Sequence, residues 1–153
     1  CCPFVCVGFL QVLWFPATHF TVFLCSRFAG LSSCFCREFL FVNMKLSWTD
    51  AERFCKEMID PYHLFSIQNL KEMNNIVKLA KYFVPMILWI GLFSDSWKWS
   101  DLEVSSFLNW RLGQPDNTLL YEQCAVVDLM LIDSGSWEDQ LCNALSCSSH
   151  QSF

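Results

Sequence analysis

Gln114-Pro115-Asp116-Asn117, followed by Glu122-Gln123-Cys124 and then by Trp137-Glu138-Asp139-Gln140-Leu141-Cys142, decides how the rest of the chain is read. Four acids (Asp116, Glu122, Glu138 and Asp139) and the amide of Gln114 are gathered around an X-Pro bond and fastened by two cysteines, Cys124 and Cys142. Hard cations such as calcium take roughly six to eight oxygen ligands from carboxylates, amide and backbone carbonyls and water. The segment therefore has the make-up of a Ca2+ cage. A cis bond before Pro115 would let Gln114 and Asp116 project to one side of a tight turn, within reach of one ion. Glu122 stands two residues before Cys124 and Asp139 three before Cys142, next to points where crosslinks would fix the backbone.

Outward from this segment, periodicity fades between Ser94 and Gln123, and a connection that long without elements of its own is usually functional. Ile87-Leu88-Trp89-Ile90-Gly91-Leu92 is a continuous apolar run, as expected of a strand buried on both faces. Ala125 to Leu131 reads as another strand, Asp133-Ser134-Gly135-Ser136 as a turn, and Trp137 as the start of the next strand. Upstream, Arg37 to Val42 suggests the first strand of the domain. Ser47 or Thr49 can cap a helix, Thr49-Asp50-Ala51-Glu52 fits the capping-box pattern, and Ala51, Phe54, Cys55 and Met58 recur at helical spacing on a face expected to pack inward. Pro61 ends that helix, a short strand follows at Leu64 to Ile67, and a second helix opens at Asn69 with an apolar stripe of Met73, Ile76, Val77 and Ala80. Trp97, Trp99 and Trp110 are expected to form a hydrophobic cluster under the loop.

Hydrophobic residues make up 54% of the 153, and the excess sits at the front, where Arg27 is the only charged residue before Arg37. Residues 20–34 read as an apolar core followed by small residues near a cleavage point, so 1–34 is expected to be a secretory leader. About the first 20 residues lack an initiator Met and a basic n-region and are read as an extension or artefact ahead of it. A membrane anchor over Phe4 to Cys25 is the weaker reading, because Pro16 interrupts it and the one basic residue would hold the acidic remainder in the cytoplasm. Without the leader, nine of the ten basic residues face all 15 acids, which excludes a nucleic-acid partner and suits a cation-binding surface.

Of ten cysteines, Cys55, Cys124, Cys142 and Cys147 fall in the domain, and four cysteines allow three connectivities. No Cys-x-x-Cys or His-x-x-x-His spacing among them supports zinc. Cys36, at the junction, is left over and could bond another chain into an oligomer. His19, His63 and His150 have no Ser or Cys in a nucleophile setting, so no enzyme is expected.

Taken in register, the landmarks Trp48-Thr49-Asp50-Ala51-Glu52-Arg53-Phe54-Cys55, Trp89-Ile90-Gly91-Leu92, Trp97-Lys98-Trp99-Ser100-Asp101, Phe107-Leu108-Asn109-Trp110, Gln114-Pro115-Asp116 and Trp137-x-Asp139-x-x-Cys142 resemble the C-type lectin domain from about Arg37 to Cys147. The resemblance implies an α+β, C-type lectin-like fold, two helices flanking antiparallel strands with a long ligand-binding loop. It implies disulfides Cys55–Cys147 and Cys124–Cys142, and a secreted, extracellular protein. Gln114, Asp116, Glu122, Glu138 and Asp139 would bind Ca2+ and, through it, the vicinal hydroxyls of a sugar. Gln-Pro-Asp goes with galactose-type glycans in the family. Glu138 stands where the family usually has Asn, adding a carboxylate and removing an amide donor. Asn117-Thr118-Leu119-Leu120 follows the triplet where galactose-type members tend to place Trp, leaving Tyr121 as the nearby aromatic for the sugar. Only four residues separate Cys142 from Cys147, so the domain is expected over 37–153 with a truncated C terminus. The alternative is a calcium-independent member of the same fold that binds a protein partner or ice.

Overall fold

The computed structural model describes residues 11–14, 22–31, 34–58, 62–80, 87–93, 96–129 and 135–144. Its elements run β1 (Gln11–Trp14), β2 (Val22–Leu31), β3 (Cys34–Asn43), α1 (Trp48–Met58), β4 (His63–Leu64), α2 (Leu70–Ala80), β5 (Ile87–Phe93), β6 (Lys98–Trp99), β7 (Glu122–Asp128) and β8 (Trp137–Leu141). One sheet carries the order β1-β3-β2-β5-β7-β8, with β4 on β2 and β6 on β5. Most pairings are antiparallel; β1 with β3 and β2 with β5 are parallel. Two helices on a largely antiparallel sheet make the fold α+β. β1 and β2 fall within the stretch read as a leader.

Local chemistry explains where the helices begin. Ser47 Oγ accepts from the Asp50 amide at 3.1 Å and donates to Asp50 Oδ2 at 2.8 Å, capping α1 and placing an acid at the positive end of its dipole. The cap is thus Ser47, and the Thr49–Glu52 box does not form, because Glu52 is drawn inward. Its carboxylate accepts from the Leu64 amide at 2.8 Å and from Ser100 Oγ at 3.0 Å, and meets Lys56 Nζ at 3.0 Å. For α2, Asn69 Oδ1 accepts from the Glu72 amide at 2.9 Å, as the sequence pattern predicts. Ala51 and Cys55 are buried, whereas Met58, at the end of α1, is 71% exposed; the inward face stops one turn earlier than its spacing suggests.

β5 is the sheet's centre, with residues 88–92 buried on both faces. On one side, Val42, Trp48, Ala51, Cys55, Leu64, Trp89 and Val126 bind α1 to the sheet. Here the indoles of Trp48 and Trp89 donate to the carbonyls of Ile90 (2.7 Å) and Leu46 (3.2 Å). On the other, Ile67, Met73, Ile76, Leu88, Ile90, Trp99, Val127 and Trp137 form a second core that supports the loop. Trp99, Trp110 and Phe107 each meet Trp137 edge-on, with centroids 5.7–5.8 Å apart. Gly91 must lack a side chain: a Cβ would lie 2.6 Å from the Leu64 carbonyl oxygen. Within the segment expected to be free of strands, Lys98–Trp99 pairs with β5 and β7 begins at Glu122, leaving residues 100–121 as the loop.

Candidate functional site

The loop is pinned at its base. Arg111 N donates to the Trp137 carbonyl at 2.9 Å, and Trp137 N to that of Asn109 at 2.8 Å, so the loop's descending arm runs alongside β8. Above this staple the Gln114–Pro115 bond is cis, and Gln114 Nε2 donates to Asp116 Oδ2 at 3.1 Å. Asp139, on β8, shapes the next turn: Oδ1 accepts from the Asp116 amide at 3.1 Å and Oδ2 from the Asn117 amide at 2.8 Å. Asn117 Oδ1 accepts from the Glu122 amide at 3.0 Å, and Glu122 Oε2 accepts from the Leu119 amide at 3.2 Å. Thr118 gives Asp116 Oδ1 both its amide (3.0 Å) and its hydroxyl (2.5 Å).

These bonds bring three of the five candidate ligands together. One carboxylate oxygen from each of Asp116, Glu122 and Asp139 lies within 4.8 Å of the others. Glu122 and Asp139 are buried and Asp116 is exposed, so the cluster opens at one side. Three carboxylates this close repel one another, and a cation among them would relieve that repulsion. Gln114 Oε1 is also buried and accepts no hydrogen bond from the protein. Three carboxylates together with the amide oxygen of Gln114, whose Nε2 is bonded to Asp116, are oxygen donors of the kind that suits a hard cation.

Glu138 lies elsewhere. Its Oε2 accepts from Arg111 Nη1 at 2.5 Å, and Arg111 Nη2 reaches Asp128 Oδ2 at 2.7 Å. Successive residues of a strand point to opposite faces. With Asp139 turned to the triplet, Glu138 on β8 faces the other way and meets the guanidinium. Glu138 is not part of the three-carboxylate cluster. Arg111, which the sequence reading passed over, is a basic residue three positions before the triplet and was the available signal.

Tyr121 is 78% exposed and, with Trp97 and Leu120, borders a cleft of about 470 Å³ that reaches Glu122 and Asp139. Trp97, expected to be core, is partly buried against Trp110 with its ring at the cleft wall. Cys124 and Cys142 form a disulfide that joins β7 to the residue directly after β8. Cys55 is disulfide-bonded as well. The expected partner Cys147 lies outside the described residues, and the side chain of Cys36 is likewise not described. Among the described residues no helix is long and apolar enough to cross a membrane.

Comparison with known proteins fits this architecture. C-type lectin lectoxin-Lio1 from Erythrolamprus poecilogyrus is 36% identical over 103 residues, covering 63% of this chain and 62% of that protein, so the chain spans less than two thirds of this relative. Among solved structures, the cow C-type carbohydrate-recognition domain of CD23 has a TM-score of 0.54 at 25% identity, covering 64% of this chain and 72% of that one. A calcium-independent type II antifreeze protein has a TM-score of 0.54 at 27% identity, covering 65% and 72%. The family model of the lectin C-type domain matches residues 44–148, and the chain belongs to the C-type lectin domain family.

Proposed function

We propose that the chain is a secreted, non-enzymatic, calcium-dependent carbohydrate-binding protein with a preference for galactose-type glycans. The observation that carries this reading is the meeting of Asp116, Glu122 and Asp139 within 4.8 Å. Buried Gln114 Oε1, without a donor of its own, supplies a fourth oxygen. Bound there, calcium would supply open coordination positions for sugar hydroxyls. The protein's part is to hold its oxygens in place and to hydrogen-bond the same hydroxyls. Gln114 and Asp116, in the order amide then acid, set the donor and acceptor pattern that the hydroxyls must match.

Glu138, held by Arg111, is a sugar and metal ligand only if it leaves that partner, so the cage proposed rests on four side chains and water. Tyr121 offers its ring to the apolar face of the sugar. The Cys124–Cys142 bridge and the bonded Cys55 favour an oxidising compartment, consistent with a leader over 1–34 and a domain over 37–153. The rival reading is a calcium-independent domain that meets a protein or ice directly; one structure of similar fold is a calcium-independent type II antifreeze protein.

Calorimetric titration of calcium into the refolded protein, followed by a glycan array with and without chelator, separates the two. Calcium heat and chelator-sensitive retention of galactose-terminated glycans are expected. Absence of calcium heat, with any binding indifferent to chelator, would establish the rival.

A further inference from the structure

The cleft beside the carboxylate cluster is amphipathic. Asn117, Glu122 and Asp139 line it with polar groups, and Trp97, Leu120 and Tyr121 with apolar surface. Leu120 and Tyr121 are 66% and 78% exposed, so the fold leaves two large apolar side chains in water beside buried acids. The backbone adds an independent observation. Among the described residues, five other than glycine have a positive φ, and four of them line this cleft: Trp97 (47°), Asn117 (50°), Leu120 (54°) and Tyr121 (73°). Bulky side chains rarely occupy the left-handed region, and residues held there collect at ligand clamps, where surrounding contacts fix them. Here those contacts are identifiable. Leu120 N donates to the Asn117 carbonyl at 3.0 Å, Glu122 N to Asn117 Oδ1 at 3.0 Å, and Trp97 is propped by Trp110 with centroids 4.7 Å apart.

Turning Leu120 and Tyr121 outward thus costs backbone strain and apolar exposure together, and a ligand that covers them recovers the second. We propose that the site takes a sugar bearing an apolar aglycone, with its hydroxyls on the carboxylate cluster and its alkyl or aryl substituent against Trp97, Leu120 and Tyr121. The inference rests on the cation-dependent sugar reading above and adds a ligand class to it. The cleft's volume of about 470 Å³ falls inside the range of roughly 300–1,000 Å³ found for small-ligand pockets. The cleft's lining divides about evenly between polar and apolar groups, which suits a ligand that is itself part polar and part apolar.

The test compares methyl and octyl β-galactosides, the latter below its micelle concentration, binding to the full chain in calcium. The octyl glycoside should bind at least about tenfold more tightly, the gain expected from burying roughly two methylenes. Leu120→Asn keeps a residue tolerant of the left-handed backbone and should bring the octyl affinity to within about twofold of the methyl value. A calcium titration of that variant matching wild type shows that the loop is intact. Equal affinities for the two glycosides in the wild type, or an octyl advantage that survives Leu120→Asn, overturns the aglycone site and leaves the lectin reading standing. Binding of neither glycoside overturns both.

Discussion

Replacing Glu138 by Gln removes one negative charge from the partner of Arg111 while keeping the side chain's length and one acceptor oxygen. The bond lost is charge-assisted and sheltered: Arg111 and Glu138 are 23% and 13% exposed, and Nη1 to Oε2 is 2.5 Å. Hydrogen bonds to charged groups contribute about 1.5–3 kcal/mol. Gln can still accept from Nη1, and Asp128 still holds Nη2 at 2.7 Å, so about half of that, ~1–1.5 kcal/mol, should be lost. For a chain of this size the melting temperature should then fall by roughly 3–5 °C. Calcium affinity should stay within about threefold of wild type, since Glu138 supplies no oxygen to the cluster of Asp116, Glu122 and Asp139. Asp139→Asn is the contrast, expected to lower calcium affinity by about 100-fold or more by removing a charged ligand. Differential scanning calorimetry and calcium titration of both variants read the two effects separately. If Glu138→Gln lost calcium as fully as Asp139→Asn with an unchanged melting temperature, Glu138 would be a metal ligand and the Arg111 pairing incidental.

Calcium at about 100 times its dissociation constant should stabilise the wild type by about 2.7 kcal/mol, a rise of roughly 5–10 °C in melting temperature that chelator reverses and Asp116→Ala abolishes. Glu52→Ala strands the Leu64 amide and Ser100 Oγ in the interior and should cost about 2–4 kcal/mol, read as a lower urea midpoint at constant slope. An unmoved midpoint would mean that water replaces the carboxylate without penalty. Gly91→Ala forces a methyl to 2.6 Å from the Leu64 oxygen, parting β4 from β5, and should cost about 1–3 kcal/mol or more in the same assay.

What was legible in the sequence is what local chemistry decides. The run from Ile87 to Leu92 gives a strand buried on both faces because a continuous apolar segment this short has a strand's length and falls short of a core helix. Asn69 with Glu72 three residues on caps α2 because that contact lies within one turn. Glu52 was misread as half of a capping box because its true partners, Leu64 and Ser100, are 12 and 48 residues away. β6 escaped notice because two residues carry no periodicity. Its cause is tertiary, the packing of Trp99 on Trp137 and its pairing with Leu92. In the site, the residue types announced an oxygen-rich cage, but the fate of Glu138 depends on which face of β8 the loop covers. That choice is made by Arg111, whose backbone is pinned to Trp137. Nor do residue types foretell left-handed Leu120 and Tyr121. Their conformation follows from how Asn117 and Glu122 tie the turn between them.

The same hydrogen bonds explain how a cage of like charges can be assembled at all. At 4.8 Å, two carboxylates repel by roughly 1 kcal/mol in water and about 3–4 kcal/mol at an effective dielectric near 20. Asp139 meets this by accepting two backbone amides, Glu122 by accepting one, and Asp116 by accepting the amide and hydroxyl of Thr118. Each carboxylate oxygen can take about two such bonds, so Asp139, with one of these donors on each oxygen, and Glu122, with one on Oε2, have capacity left for a metal, whereas Asp116 Oδ1 already takes both Thr118 donors. The carboxylates that accept the turn's hydrogen bonds are therefore the same side chains proposed to hold the ion. β7 and β8 set the distance between Glu122 and Asp139, and the Cys124–Cys142 bridge ties β7 to the residue directly after β8. A cation held there would relieve the part of this repulsion that the amide dipoles leave in place. Affinity should accordingly depend on the Asn117 and Thr118 contacts as well as on the carboxylates themselves.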